Sequence, residues 1–499
     1  MLIRRVVLAC TVVLALALPA CSAGSTATQV GRVDDGVVVG TVAAPASLDF
    51  TSTGGAAIPQ ALMANVYETL VRIDEDGEIV PHLATGWDVS DDRLTYTFHL
   101  RDGVTFSNGE EFTAETAAFS IDYVQNEWTN GLKSQMDPVA QARAVDPLTL
   151  EVTLAHPSNE WLWSMGTLTG AMMTPTGTQT LATDPIGTGP YTVERFAVGE
   201  SVSYSARADY WGEPADGDAA IRYFSDAVGS VNALRSGDVD VVWSLQAPEL
   251  LDTLPEEFGV EVGTTNGELL LSMNNDAAPF DDVRVRQAVA YGVDREAVSQ
   301  VVYEGLATDT GGAPVPPTDP WFIDRDYYPH DPERARRLLR EAGYSEDDRP
   351  QVTMKIPSLP YAETAAELLF SELRQIGFDV SLVSSEFPAV WLSEVMGSAD
   401  YQMSLIAHVE PRDVPVLFGD LDHYLRFDSE PVREHLARAD SGDDQVGHMR
   451  RAVDEIMAEA GSLTLVNTPN IVLTAPGVTG VEANVVTDAL PLAEIGRNA

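Results

Sequence analysis

Tyr96, Phe98 and Leu100 alternate with Thr95, Thr97 and His99, a period of two that predicts a strand with one buried and one polar face. The run from Val37 predicts a fully buried strand, and apolar residues at helical spacing predict a helix over Leu62–Leu70. Thr113, Glu115 and Thr116 predict the entrance of a helix that carries Ala117, Ala118, Phe119 and Ile121. Farther along, residues 221–245 read as strand, helix and strand, the helix running from Ala227 to Leu234 and closing at Gly237.

Near the middle of the chain, Leu269, Leu270 and Leu271 form a short apolar strand that stops at Asn274 and Asn275. Pro279 bends the chain and Asp281 or Asp282 caps a helix. Val283, Ala288, Val289 and Val293 form its inner face, with Arg284, Arg286 and Gln287 on the wetter sides. Asp331 and Pro332 open a further helix, with Ala335, Leu338, Leu339 and Ala342 on one face and Gly343 at its end. Residues 351–384 repeat the strand, helix, strand order, with the helix from Ala362 to Ile376 closing at Gly377. Met449–Ala460 then predicts a helix, and Ser462–Asn467 a strand. Short strands alternating with helices indicate α/β layering.

At 499 residues the chain is too long for one ordinary core. Its formal net charge of −46 is spread along the chain, which repels nucleic acid and favours a solvated surface. Arg4 and Arg5, the apolar run Val6–Leu18 and Ala20 read as a secretory signal too short to span a bilayer. Residues 22–36 are small and polar, and read as a tether. With Cys10 inside the signal, Cys21 is the one other thiol, so disulfides and cysteine-ligated metals are not expected.

Catalytic patterns are missing from the sequence. The histidines show no close metal-ligand spacing, no serine sits in G-x-S-x-G, and neither Lys133 nor Lys355 belongs to a phosphate-binding loop. Gly187-Thr188-Gly189 is followed by Pro190 and Thr192, which removes both the third glycine and the helix start of a dinucleotide site. The densest candidate chemistry lies in residues 404–424, where apolar residues lead into His408, Glu410, Arg412 and Asp413.

The wording of the central stretch carries further information. Asn274-Asn275, the run Pro279–Asp282, Val283–Ala288 and Val293–Glu296 closely resemble the signature of extracellular solute-binding proteins of family 5, the dipeptide- and oligopeptide-binding partners of ABC importers. Residues 67–124 and 184–214 resemble the same family's first lobe, although Arg207 and Ala208 stand where it usually has Asn-Pro. Leu18-Pro19-Ala20-Cys21 resembles a bacterial lipobox, with Pro19 a less usual occupant.

That resemblance implies an α/β, two-lobed periplasmic-binding-protein-like fold of type II, in the large three-subdomain form, with the ligand cleft between the lobes. It implies a signal over 1–20, a lipidated tether over 21–36, lobe I over 37–265 with an inserted subdomain at about 50–182, lobe II over 266–467, and a return to lobe I over 468–499. The implied protein is a monomer without a cofactor, not an enzyme, held outside the cell membrane by lipid on Cys21. It would deliver short peptides to a permease driven by a separate ATPase. A metal chelate or oligosaccharide is the alternative cargo, and a secreted hydrolase or a sensory receptor domain the alternative class.

In peptide-binding relatives the loop matching 404–424 bears an acidic residue for the peptide's amino group, so Glu410 or Asp413 takes that place here. Arg412 is expected to meet a ligand carboxylate or its acidic neighbours, with His408 beside it. Trp243, at a strand end, is a candidate cleft residue. Asn274 and Asn467 are placed on the two hinge crossings.

Overall fold

A computed structural model of the chain describes residues 36–497. Residues 1–35, with the expected signal, Cys21 and nearly all of the tether, lie outside them.

β1 (Val37–Thr41) is buried throughout. The helix expected over Leu62–Leu70 is instead α1 (Ala57–Leu62), which ends where the apolar spacing suggested a beginning. The reason is tertiary. Asn65 is fully buried and its amide bonds the backbone of Leu490 and Leu492, while Ala64 takes a left-handed φ of 62°. The Gly187-Thr188-Gly189 turn presses on the same backbone: a Cβ on Gly187 would stand 1.9 Å from the Val66 carbonyl oxygen, and one on Gly189 2.5 Å from that of Asn65. These glycines therefore serve close backbone approach. Arg207, the departure from the family wording, is buried beside them and donates to the Gly189 and Thr105 carbonyls.

β2 (Val71–Ile73) and β3 (Ile79–Pro81) form a hairpin. β4 (Ala84–Val89), β5 (Thr95–Leu100), β6 (Val139–Asp146) and β7 (Thr149–Leu154) make a second antiparallel sheet in the order β4-β5-β7-β6, with Tyr96, Phe98 and Leu100 buried as the alternation predicts. α2 (Ala114–Glu127) packs on β6 and β7, and begins at a reciprocal Thr113–Thr116 cap. α3 (Asn159–Ser164) follows.

β8 (Tyr191–Ala197), β9 (Ser201–Ala206), β10 (Ala219–Tyr223), α4 (Ala227–Ser236) and β11 (Val241–Val242) return the chain to β1. β12 (Gly259–Met273) then leads to α5 (Val283–Gly292), α6 (Arg295–Tyr303) and α7 (Pro332–Glu341). Next come β13 (Gln351–Pro357), α8 (Pro360–Ile376), β14 (Asp379–Ser385), α9 (Ala389–Trp391), β15 (Met403–His408) and α10 (Val414–Gly419). α11 (Glu430–Ser441), α12 (Gln445–Glu459) and β16 (Ser462–Thr474) complete the elements that position the site.

One mixed ten-stranded sheet runs through the molecule in the order β14-β13-β15-β12-β16-β11-β1-β10-β9-β8. One large core draws on residues 269–466. Another draws on residues from Val37 to Trp243 together with Val472, Leu490, Leu492 and Ile495, and a small cluster under α4 adjoins β1, β10 and β16. β12 and β16 pass side by side from one large core to the other.

Asp282 caps α5 through the Arg284 N–H. Arg286, expected on a wet side, is buried. It donates to the carbonyls of Phe280, Glu459 and Ala460, and so closes the end of α12, whose last carbonyls have no partner inside the helix. Periodicity cannot report such a use of an arginine.

Candidate functional site between the two cores

β12 is irregular at its middle, where its register with β16 shifts between Thr264 and Glu268. Asn467 of β16 fills that gap, donating Nδ2 to the carbonyls of Thr265 (2.7 Å) and Gly267 (3.0 Å). Immediately beyond, Glu268 stands opposite Asn467 on one side and opposite His408 of β15 on the other. Directly opposed side chains share one face of a sheet, so the three meet.

Asn274 does not sit at this crossing. It lies past the far end of β12, where its Nδ2 donates to the carbonyls of Ala399 and Tyr401. The strand begins at Gly259, well before the apolar run that revealed it, so the crossing falls in mid-strand. Trp243 is buried in the large core that begins with Val37, its backbone N–H bonded to the Gly40 carbonyl.

His408 is buried with its ring stacked on Tyr424, at 9° between planes. Its Nε2 lies 2.7 Å from the Tyr424 hydroxyl, which in turn lies 2.8 Å from Ser272 Oγ. Nδ1 is thereby turned toward Asp413 Oδ2 at 3.6 Å. Burial pushes the imidazole down to about 4, so it is neutral at neutral pH and leaves the acid beside it uncompensated.

Asp413 begins α10 with its side chain turned inward, and Oδ2 is buried without a hydrogen-bond partner. Glu268 is 2% exposed, its Oε1 equally unpartnered. Burial raises both carboxyls above the usual carboxylate range, and the charge of Asp413 raises Glu268 further. Glu410, by contrast, is exposed, on the side where the returning segment brings Asp488; burial and the Glu410 charge push Asp488 up to about 6. The donor atoms of His408, Glu410 and Asp413 lie within 4.8 Å of one another.

Arg412 turns the other way and pairs with neither loop neighbour. Its backbone is left-handed (φ 54°), a conformation that costs about 1 kcal/mol or more outside glycine and is held here by the side chain. The guanidinium lies 4.6 Å from the ring centroids of both Trp163 and Trp321. Nε donates to Asp319 Oδ1 (3.3 Å) and Nη2 to the Gly77 carbonyl (2.9 Å). Gly77 is the turn between β2 and β3, and Trp163 belongs to α3, so this side chain joins the loop after β15 to the first part of the chain. Burial pushes Asp319 up to about 6 and Glu160 up to about 7, although the Arg412 charge pulls both down.

A second contact lies beside it. Ser158 Oγ and the Glu160 N–H donate to Asp440, and Asn159 Nδ2 donates to the carbonyls of Ala439 and Gly442 at the end of α11. Between the two contacts lies a cavity of about 280 Å³ lined by Glu160, Trp321, Arg412, Leu436, Asp440 and Met449.

The loop over 404–424 was legible in the sequence by its density of charge. Glu268, Asp319 and Glu160 were not. Only Glu268 leaves a trace, as an acid immediately before three leucines in a strand that is otherwise apolar there. Around His408, Asp413 and Glu268 each present a carboxylate oxygen without a donor, while Arg412 is bonded elsewhere.

A model of the family described as bacterial extracellular solute-binding proteins, family 5 (middle) matches residues 78–415. The chain is 31% identical over 297 residues to the glutathione-binding protein GsiB of Salmonella typhi. The match covers 58% of this chain and 57% of that protein, so the chain spans little more than half the length of this relative. Its fold is similar to the ABC transporter substrate-binding protein CtaP of Listeria monocytogenes, with a TM-score of 0.82, 20% identity, and coverage of 93% of this chain and 100% of that one. It is also similar to the periplasmic binding protein DppA of Helicobacter pylori in complex with the peptide STSA, with a TM-score of 0.73, 23% identity, and coverage of 94% and 99%. The α/β, type II binding-protein fold is thus the one expected. Among the described residues no helix is long and apolar enough to cross a membrane.

Proposed function

Because this chain belongs to the bacterial extracellular solute-binding proteins of family 5, we propose that it is the extracytoplasmic binding protein of an ABC importer, and that it captures short peptides by their amino end between its two large cores. It would act without a catalytic step and hand its cargo to a permease driven by a separate ATPase. The lobes are proposed as 37–265 with 468–499, and 266–467, moving about the irregular middle of β12 and β16.

The observation that carries the reading is the pair of carboxylates on half-buried Asp413 and buried Glu268, each with a buried oxygen that has no donor. Two such acids facing one another cannot both ionise cheaply, and neutral His408 does not relieve them. An ammonium group supplies three N–H donors and a positive charge at that place, and closure around it excludes water. Asp413 is the receiving residue in this reading, because Glu410 is exposed. Arg412 acts as the strut between the cores instead of a grip on a ligand carboxylate. GsiB and DppA, by their names and contents, support a peptide cargo.

Native mass spectrometry of freshly purified protein is expected to reveal a bound peptide. Calorimetry should then show Asp413→Asn weakening that peptide by about 2 to 5 kcal/mol, the cost of breaking a buried charge pair, and Glu410→Gln by about 1 kcal/mol or less. Binding within a few-fold of the parent in Asp413→Asn refutes the amine reading. Anchoring through Cys21 is proposed on the lipobox resemblance alone. Cys21→Ala should release the protein from membranes, and unchanged lipid labelling would sink that part.

A further inference from the structure

α11 and α12 pack side by side as one hairpin, and each turns a histidine toward the other. His435 and His448 are both half-buried, with ring centroids 5.4 Å apart and Nδ1 atoms 3.1 Å apart. They stand 13 positions apart in the chain, so no ligand spacing betrays them; the turn at Gly442 brings them together. Leu436 and Ala439 on one helix and Met449 and Ala452 on the other are buried, which fixes the faces that carry the two rings.

That separation has a chemical meaning. Between two facing nitrogens at 3.1 Å there is room for one hydrogen, so at least one Nδ1 offers a lone pair to the other ring. Two nitrogens bound at about 2.0 to 2.1 Å to one ion stand roughly 3 to 3.5 Å apart, the spacing already present here. An ion between the rings replaces the shared hydrogen, and the ring that held it at Nδ1 carries it at Nε2 instead. No net proton is lost.

The charges around the pair are matched. Glu434, next to His435, pairs with Arg438. Asp444 caps α12 through the Gly447 N–H at 3.0 Å and pairs with Arg451 at 3.0 Å. The donors left free for a metal are therefore the two imidazoles, a set that suits zinc, copper or nickel, whereas calcium and magnesium favour all-oxygen sets.

We propose that His435 and His448 bind one such transition ion, with water at its remaining positions, as a staple across the α11–α12 hairpin. The site lies away from the pocket around Asp413, takes no donor atom from a solute and does not depend on which solute the chain carries. Its place in the fold gives it a use. The end of the hairpin beyond the pair is held by the first part of the chain: Arg93 Nη1 reaches Asp443 at 2.6 Å, and Asn159 bonds the carbonyls of Ala439 and Gly442. The ion ties together the two helices that present this contact.

The test uses protein without an affinity tag, stripped with a chelator and titrated with zinc chloride by calorimetry and by NMR of ¹⁵N-histidine-labelled chain. One zinc per chain is expected at a Kd of about 100 µM or tighter, with two of the 8 histidines shifting together and the melting temperature rising with zinc. His435→Gln and His448→Gln should each weaken zinc by about 10-fold or more and abolish that rise. Millimolar magnesium should not compete. Among the described residues His408, Glu410 and Asp413 form the competing donor set, so His408→Gln should leave zinc binding unchanged. No binding below about 1 mM overturns the inference, as do shifts confined to other histidines, or binding kept in His448→Gln and lost in His408→Gln. Melting temperatures equal to the parent's in chelator exclude misfolding of the variants. Should His448→Gln fail to fold, His435→Gln and the shifted signals of the parent decide the matter.

Discussion

Replacing Arg412 by Met keeps the length of the side chain and removes its charge. Within the second part of the chain the guanidinium touches Asp319 and Trp321, and those contacts survive separation of the two cores. Its contacts with Trp163 and the Gly77 carbonyl exist only where the cores meet. A desolvated cation–π contact contributes about 2 kcal/mol and a hydrogen bond from a charged donor about 1.5 to 3 kcal/mol. Part of this is offset by drying the guanidinium on closure, which leaves a net of about 2 to 3 kcal/mol. Asp319 limits the damage: already pushed up to about 6 beside Arg412, it rises further without it and takes a proton at neutral pH instead of remaining a bare charge. The closed population, and with it apparent solute affinity, should therefore fall by about 30- to 150-fold. Calorimetry with the co-purified solute measures the affinity, and small-angle scattering with and without solute measures the compaction. Arg412→Lys should fall between, since an ammonium cannot lie flat on two indoles while reaching Gly77. If Arg412→Met binds within threefold of the parent and compacts as fully, the strut carries none of the closure energy.

Burial pushes Glu160 up to about 7 and Asp319 up to about 6, so the folded chain holds these protons more tightly than the unfolded one. Their stabilising effect is complete below about pH 4 and lost as pH rises through 6 and 7. The melting temperature of solute-free protein should fall between about pH 4 and 7, and Glu160→Gln should flatten that fall; an identical slope in the variant would refute the assignment. Gly187→Ala would force a Cβ to 1.9 Å from the Val66 carbonyl oxygen, an overpacking cost of about 3 kcal/mol or more. Gly86→Ala, with nothing within 4 Å of its Cβ, is the control, and equal denaturation midpoints for the two would overturn the close-approach argument.

Where local sequence was decisive, expectation and structure agree. α7, α8 and α4 show their inner faces by spacing, and Gly343, Gly377 and Gly237 mark their ends with positive φ. Leu62–Leu70 has equally good spacing and fails, because the backbone there is shaped by Gly187, Gly189 and the carbonyl of Leu490, hundreds of residues away. Arg286 fails for the same reason, its partners lying on α12. The site divides along the same line. Asp413 and His408 share a loop that stands out by composition, while Glu268, Asp319 and Glu160 become neighbours of that loop only through the sheet and the contact between cores.

Asn65 also sets an order in time. The core built from residues 269–466 is contiguous in the chain and can form as soon as that stretch has been delivered. The other core cannot: its early strands and α1 wait for Val472, Leu490, Leu492 and Ile495, and Asn65 finds its partners only when Leu490 and Leu492 arrive. A chain threaded outward from its N-terminus thus exposes its first half longest and completes it last. During export that half, not the one bearing the acidic loop, depends on protection from proteolysis and aggregation.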